Sequence, residues 1–179
     1  MATTLQLVAE EGYNSTSMQR IADEMGMSKA GILHHFSSRD ALMLEVLRRR
    51  SGLVTSEVAA IEDPIEAAVD VTANNARQPG LAALSAVVTA LSAADLEDSD
   101  RRGYIDGRYR RLRQSFTEAF RRAQDDGEVV STVEPEVLAA LLVAVMEGMQ
   151  LQWLLDPDLT MSEHVRAFLT LTQRPESED

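Results

Sequence analysis

Three positions near the N-terminus constrain this chain more than anything else in it. In SMQRIADEMGMSKAGILHHF, residues 17–36, Ile21-Ala22 is followed by Gly26 and then by Ile32. The small alanine lets two helices cross closely. Glycine four residues later permits a tight turn between them. The aliphatic side chain six residues further on packs the second helix onto the first. That is the steric recipe of a helix-turn-helix, whose second helix enters a DNA major groove. A helical hairpin that binds nothing would satisfy the same spacing.

The sequence around this hairpin is helical almost throughout. It is rich in Ala, Leu, Glu and Arg and shows little two-residue alternation. A short helix over 3–11 ends at Gly12. Thr16, three residues before Gln19, has capping-box spacing for a helix reaching about Glu24. Ser28 caps the next, to about His34. Ser38 caps a fourth that runs into the fifties, with Asp40 favoured by the dipole of its first turn. Pro64 opens a helix to about Ala76, Pro79-Gly80 breaks it, and 81–94 is helical again. In 101–125, Ile105, Tyr109, Leu112, Phe116, Phe120 and Ala123 form a stripe of helical period. Helices over 135–155 and 161–172 complete about nine, the latter opened by a Thr160/Glu163 capping box. The expected fold class is all-α.

Composition removes several functions. At 179 residues the chain can bury a real core as one compact unit or two domains. It has no cysteine, which excludes disulfides and thiolate chemistry. Its three histidines, His34, His35 and His164, are too few for a multi-histidine metal site and poorly placed for a Ser-His-Asp triad. No phosphate-binding loop and no nucleophile–base pair is present, so no catalytic residue, metal or cofactor is expected, and the chain does not read as an enzyme. No apolar run approaches the roughly 18 residues of a membrane span, and no signal segment opens the chain, so a cytoplasmic protein is expected.

The net charge of −12 argues at first against nucleic acid. It is unevenly distributed. Residues 1–50 carry six basic and six acidic side chains, while 51–179 carry eleven and 23. All the excess negative charge therefore lies outside the helix-turn-helix part.

The flanks of the hairpin sharpen the reading. LVAEEGYNSTSMQRIADEMGMSKAGILHHFSSRDALMLEVL resembles the DNA-binding domain of the tetracycline-repressor (TetR) family. The resemblance rests on Gly12-Tyr13, Thr16-Ser17, Ile21-Ala22, Gly26, Ser28-Lys29, Gly31, Leu33, His35-Phe36 and Arg39-Asp40-Ala41-Leu42. It implies a three-helix DNA-binding domain, here 1–45, and a bundle for dimerisation and ligand binding, here 46–179. The family's DNA contacts fall on Thr16 and Ser17 at a helix N-terminus, Lys29 and Ala30 opening the recognition helix, His34 and His35 ending it, and Arg39. Gln19 and Ser28 are candidate polar readers, and Ala30 or Ile32 could touch a thymine methyl. Family members extend the first helix a further turn upstream with basic residues, whereas Met1 falls inside it here. Either the start lies further upstream or this member lacks that arm.

Helix 135–155 is apolar nearly all round, so it must bury more than one face. One face serves its own core; the other, with 161–172, serves a second copy. The expected interface residues are Leu141, Ala144, Val145, Gly148, Val165, Phe168, Leu169 and Thr172. A pocket needs polar groups among apolar walls. The candidates are Asn74, Asn75, Tyr104, Tyr109, Met146, Gln150 and Trp153. The arginines 108, 110, 111 and 113 either hold an anionic effector or form a solvated face paired with carboxylates.

These readings converge on a dimeric, ligand-responsive transcriptional regulator, a repressor released from a palindromic DNA operator by a small molecule. The alternative is an interaction protein of the same fold that has lost DNA binding.

Overall fold

The computed structural model describes residues 2–58, 63–94 and 99–174; Met1 and 175–179 are among the positions outside that description. Nine helices are present among the described residues: α1 (Ala2–Ser15), α2 (Met18–Met25), α3 (Lys29–His35), α4 (Arg39–Val58), α5 (Pro64–Asn75), α6 (Pro79–Ala94), α7 (Ser99–Asp125), α8 (Pro135–Leu155) and α9 (Met161–Thr172). The only β-type pairing among them is an isolated bridge between Val129 and Gln173.

The chain divides into two compact units. Unit 1 comprises residues 1–57 and 75–102, and unit 2 comprises 58–74 and 103–179. This partition differs from a cut at 45/46 because α6 packs on α1 rather than with the later helices. Gly80, in the first turn of α6, carries that packing. A Cβ there would overlap the Val8 carbonyl oxygen and stand 2.9 Å from that of Ala9. Pro79-Gly80 therefore does not simply break a helix; Pro79 opens α6, where its missing N–H costs nothing.

Several helix starts differ from expectation in their chemistry. Gly12 interrupts α1 as expected: its φ of 82° and ψ of 167° are non-helical, and a short second segment runs on to Ser15. The N-cap of α2 is Ser17, whose Oγ accepts from the Arg20 amide at 3.1 Å. Thr16 is turned inward instead: it is fully buried and its hydroxyl donates to the Gly12 carbonyl at 2.8 Å. Ser28 and Ser38 cap α3 and α4 as expected, accepting from the Gly31 and Ala41 amides. Thr160 occupies the N-cap of α9 but makes no side-chain capping bond.

Unit 2 is built on a core of Ala68, Val69, Phe116, Phe120, Leu138, Leu142, Val165 and Leu169, with Tyr109, Met146 and Phe168 packed against it. By length and composition α8 could cross a bilayer, with a mean hydropathy of 1.6 over 18 residues, contrary to the reading that no run approaches that size. One side of it, Leu138, Ala139, Leu142 and Val143, lies in the unit 2 core.

Candidate nucleic-acid interface

The hairpin is held by the contacts its sequence demands. Ile21 and Ala22 are fully buried and Ile32 is 3% exposed. Gly26 adopts the left-handed conformation, φ 62° and ψ 29°, and its amide donates to Ala22 and Asp23 carbonyls, closing α2. The turn then delivers Ser28, whose cap starts α3 at once.

This packing decides which side chains remain outward. Lys29, Ala30, Leu33, His34 and His35 are all exposed on α3. Lys29 makes no side-chain bond among the described residues, so its ammonium is available to an outside anion. His34 and His35 stand edge to face, with ring centroids 5.5 Å apart. Ala30, Leu33 and His34, at i, i+3 and i+4, share one face. Ser17, Gln19 and Ser28 are also exposed. Ser17 and Ser28 already cap helices, and the Gln19 amide donates to Asp23 at 2.7 Å.

Two expected contacts need correction, and a third residue is engaged within the unit. Thr16 has no side-chain surface and spends its hydroxyl internally. Ile32 belongs to the core, so it cannot touch a thymine. Arg39 is used within the unit: its Nε donates to the Thr16 carbonyl at 3.2 Å, its Nη2 donates to the Tyr13 carbonyl, and its guanidinium lies 4.1 Å over the Tyr13 ring. Arginine thus clamps the α1–α2 junction. Arg20 is likewise engaged. Glu11 and then Glu24 accept hydrogen bonds from it and hold its pKa above the ordinary arginine value. Leu33, which sequence reasoning used only as part of a motif, is the outward apolar residue; its i+3 spacing from Ala30 was the available signal.

A model of the tetR family of bacterial regulatory proteins matches residues 1–46, and one of the C-terminal domain of BetI-type transcriptional repressors matches 62–172. The chain belongs to the TetR family. It is similar to the transcriptional repressor AcnR of Corynebacterium diphtheriae, 29% identical over 140 residues, which span 78% of this chain and 71% of that one. Matches to two Bacillus subtilis regulators span only 22% and 16% of those proteins. Among solved structures, a transcriptional regulator from Saccharomonospora viridis in complex with choline is 26% identical, with a TM-score of 0.78 over 98% of this chain and 95% of that one. AibR, solved with isovaleryl coenzyme A and operator DNA, is 25% identical, with a TM-score of 0.60 over 97% and 96%. The matched residues 1–46 take in the α2–α3 hairpin.

The residues expected in the bundle are placed as follows. Gln150 and Trp153 are buried on α8, while Tyr104, Tyr109 and Met146 are half-buried on α7 and α8. Asn74 is half-buried in unit 2, but Asn75 falls in unit 1 and accepts from Arg50 at 2.6 Å. A polar groove of about 700 Å³ in unit 2 includes none of the seven. Of the expected interface residues, Leu141 and Ala144 are exposed and Gly148 is half-exposed. Val145 and Phe168 pack partly against the unit 2 core. Val165, Leu169 and Thr172 are corrections: they are buried in the chain's own fold, and what little surface Leu169 and Thr172 keep lines the unit 2 groove. Two of the four arginines in the run are paired with carboxylates. Arg108 bonds Glu147 at 3.0 Å and Arg110 pairs with Asp106.

Proposed function

We propose that this TetR-family chain is a repressor that binds a palindromic operator as a homodimer and leaves it when a small molecule enters unit 2. The observation that carries the reading is α3: a short helix on a well-packed hairpin, with an unpaired Lys29, both histidines and Leu33 outward. Nothing in the chain's own core needs those side chains there.

The dimer reading rests on α8. Val137, Leu141, Ala144, Gly148, Leu151 and Leu155 follow one another at steps of four, three, four, three and four residues. That heptad spacing forms a continuous seam on a helix. Its large members are exposed, Val137 by 48%, Leu141 by 46% and Leu151 by 52%. With Leu171 of α9, exposed by 82%, this seam replaces the buried α9 residues as the proposed dimer surface. Two-fold symmetry would then present two recognition helices about 34 Å apart, one turn of duplex.

The effector would be held by α7 and α8 through Tyr104, Tyr109, Met146, Gln150 and Trp153, with Asn74 from α5. Its binding would favour a dimer with the wrong half-site spacing, and by linkage operator DNA would weaken effector binding equally. The work of such a regulator places it in the cytoplasm. The test is a gel shift of the full chain on the DNA upstream of its own gene, at low salt. Retention that is competed by the same sequence and reversed by a ligand supports the reading; no retention sinks it. Choline and isovaleryl coenzyme A are the first probes for release, since similar regulators have been solved with them.

A further inference from the structure

We infer that Leu33, with Ala30 beside it, is a specificity-determining residue that reads the 5-methyl group of a thymine in the operator half-site. The inference rests on the reading that the α2–α3 hairpin binds duplex DNA. It starts from an oddity of burial. Leu33 is 42% exposed on a helix of only seven residues, although burial of leucine is favourable. The hairpin already has its packing residue, Ile32 at 3% exposure, whereas Leu33 keeps much of its side chain outside the core.

Its neighbours say what it meets. Leu33 lies one turn beyond Ala30 and adjoins His34, while Lys29 and His35 flank that face. A helix face that meets another helix is lined with apolar residues along its length. Here one small and one large apolar side chain sit between a cation and two imidazoles. Groups that donate to phosphate or to base edges therefore border a patch the size of a few methyl groups. In a major groove, the thymine 5-methyl is the apolar group of the base edges that such a patch could desolvate, and it distinguishes A·T from the other pairs. Ala30 alone would reach only a closely apposed methyl; Leu33 extends the same patch outward.

The experiment varies DNA and protein together. Randomised duplex is enriched on the full-length chain, and each thymine of the selected site is replaced in turn by uracil, which lacks only the methyl. At one thymine per half-site the native chain should lose about fourfold in affinity, the equivalent of one buried methyl at about 0.8 kcal/mol. Leu33→Ala should bind the thymine site more weakly and no longer distinguish uracil from thymine there. Leu33→Gln should behave likewise; thermal melting of both variants checks that the hairpin is intact. A native chain that tolerates uracil at every thymine overturns the inference without needing any variant. A Leu33→Ala protein that keeps the full methyl discrimination also overturns it. Failure to enrich any sequence overturns the DNA-binding reading itself, which separates the two.

Discussion

Helices α3 and α8 both leave leucine in solvent, and the contrast between them is instructive. On α3 a single leucine stands among a lysine, an alanine and two histidines. On α8 six apolar or small residues run in heptad register from Val137 to Leu155. Exposure alone does not say what a helix binds. A continuous seam matches another helix, because every turn repeats the same apolar demand. A mixed face matches a duplex groove, whose edges alternate acceptors, donors and methyls. The surrounding charge follows the same division: the first fifty residues are neutral, and the excess of acid lies in the rest. A dimer would therefore repel DNA at long range and rely on a few close contacts, so its affinity should fall as salt rises.

The contrast can be broken at several points. The largest effect is expected on the seam. Leu141→Glu with Leu151→Glu should convert the dimer to a monomer, at a cost of at least about 3 kcal/mol, since a two-fold axis counts each change twice. Sedimentation velocity reads this, and unchanged helicity by circular dichroism shows that the fold survives. A dimer that persists would remove α8 as the interface. Gly80→Ala touches neither face but strikes the α1–α6 packing against backbone, where no side chain can yield. It should destabilise unit 1 by about 2–3 kcal/mol in chemical denaturation; a neutral result would mean α6 is not held against Val8 as described. Lys29→Ala should leave stability unchanged and weaken operator binding by about tenfold, lowering the salt slope by about one for each lost phosphate contact. Arg39→Ala should do the reverse, costing about 1 kcal/mol of stability through the lost carbonyl bonds while leaving the salt slope intact. A slope that drops as with Lys29 would return Arg39 to the phosphate. Smallest of all, Arg110→Ala removes a cation from an exposed pair with Asp106 and should shift stability by no more than about 0.5 kcal/mol.

Legibility in the sequence varied with how local the cause was. The α2–α3 hairpin was readable because its determinants, Ala22, Gly26, Ser28 and Ile32, act over ten residues through sterics and capping. The helix start marked by Pro64 was readable for the same reason. Thr16 and Ser17 were harder to tell apart, since either hydroxyl can cap a helix and only the kink at Gly12 decides which one turns inward. The bonds from Arg39 to the Tyr13 and Thr16 carbonyls were not legible, because nothing local reveals that those carbonyls lie within its reach.

Sequence alone set the all-α character, the hairpin and the charge partition. Each follows from spacing, capping or composition, which need no knowledge of distant contacts. The tertiary structure decided which side of each amphipathic helix faces inward. Val165 and Leu169 are as apolar as Leu141 and Leu151, yet the first pair fills the unit 2 core and the second stands in solvent. Periodicity gives a helix its stripes, but only the neighbours it packs against choose which stripe is buried.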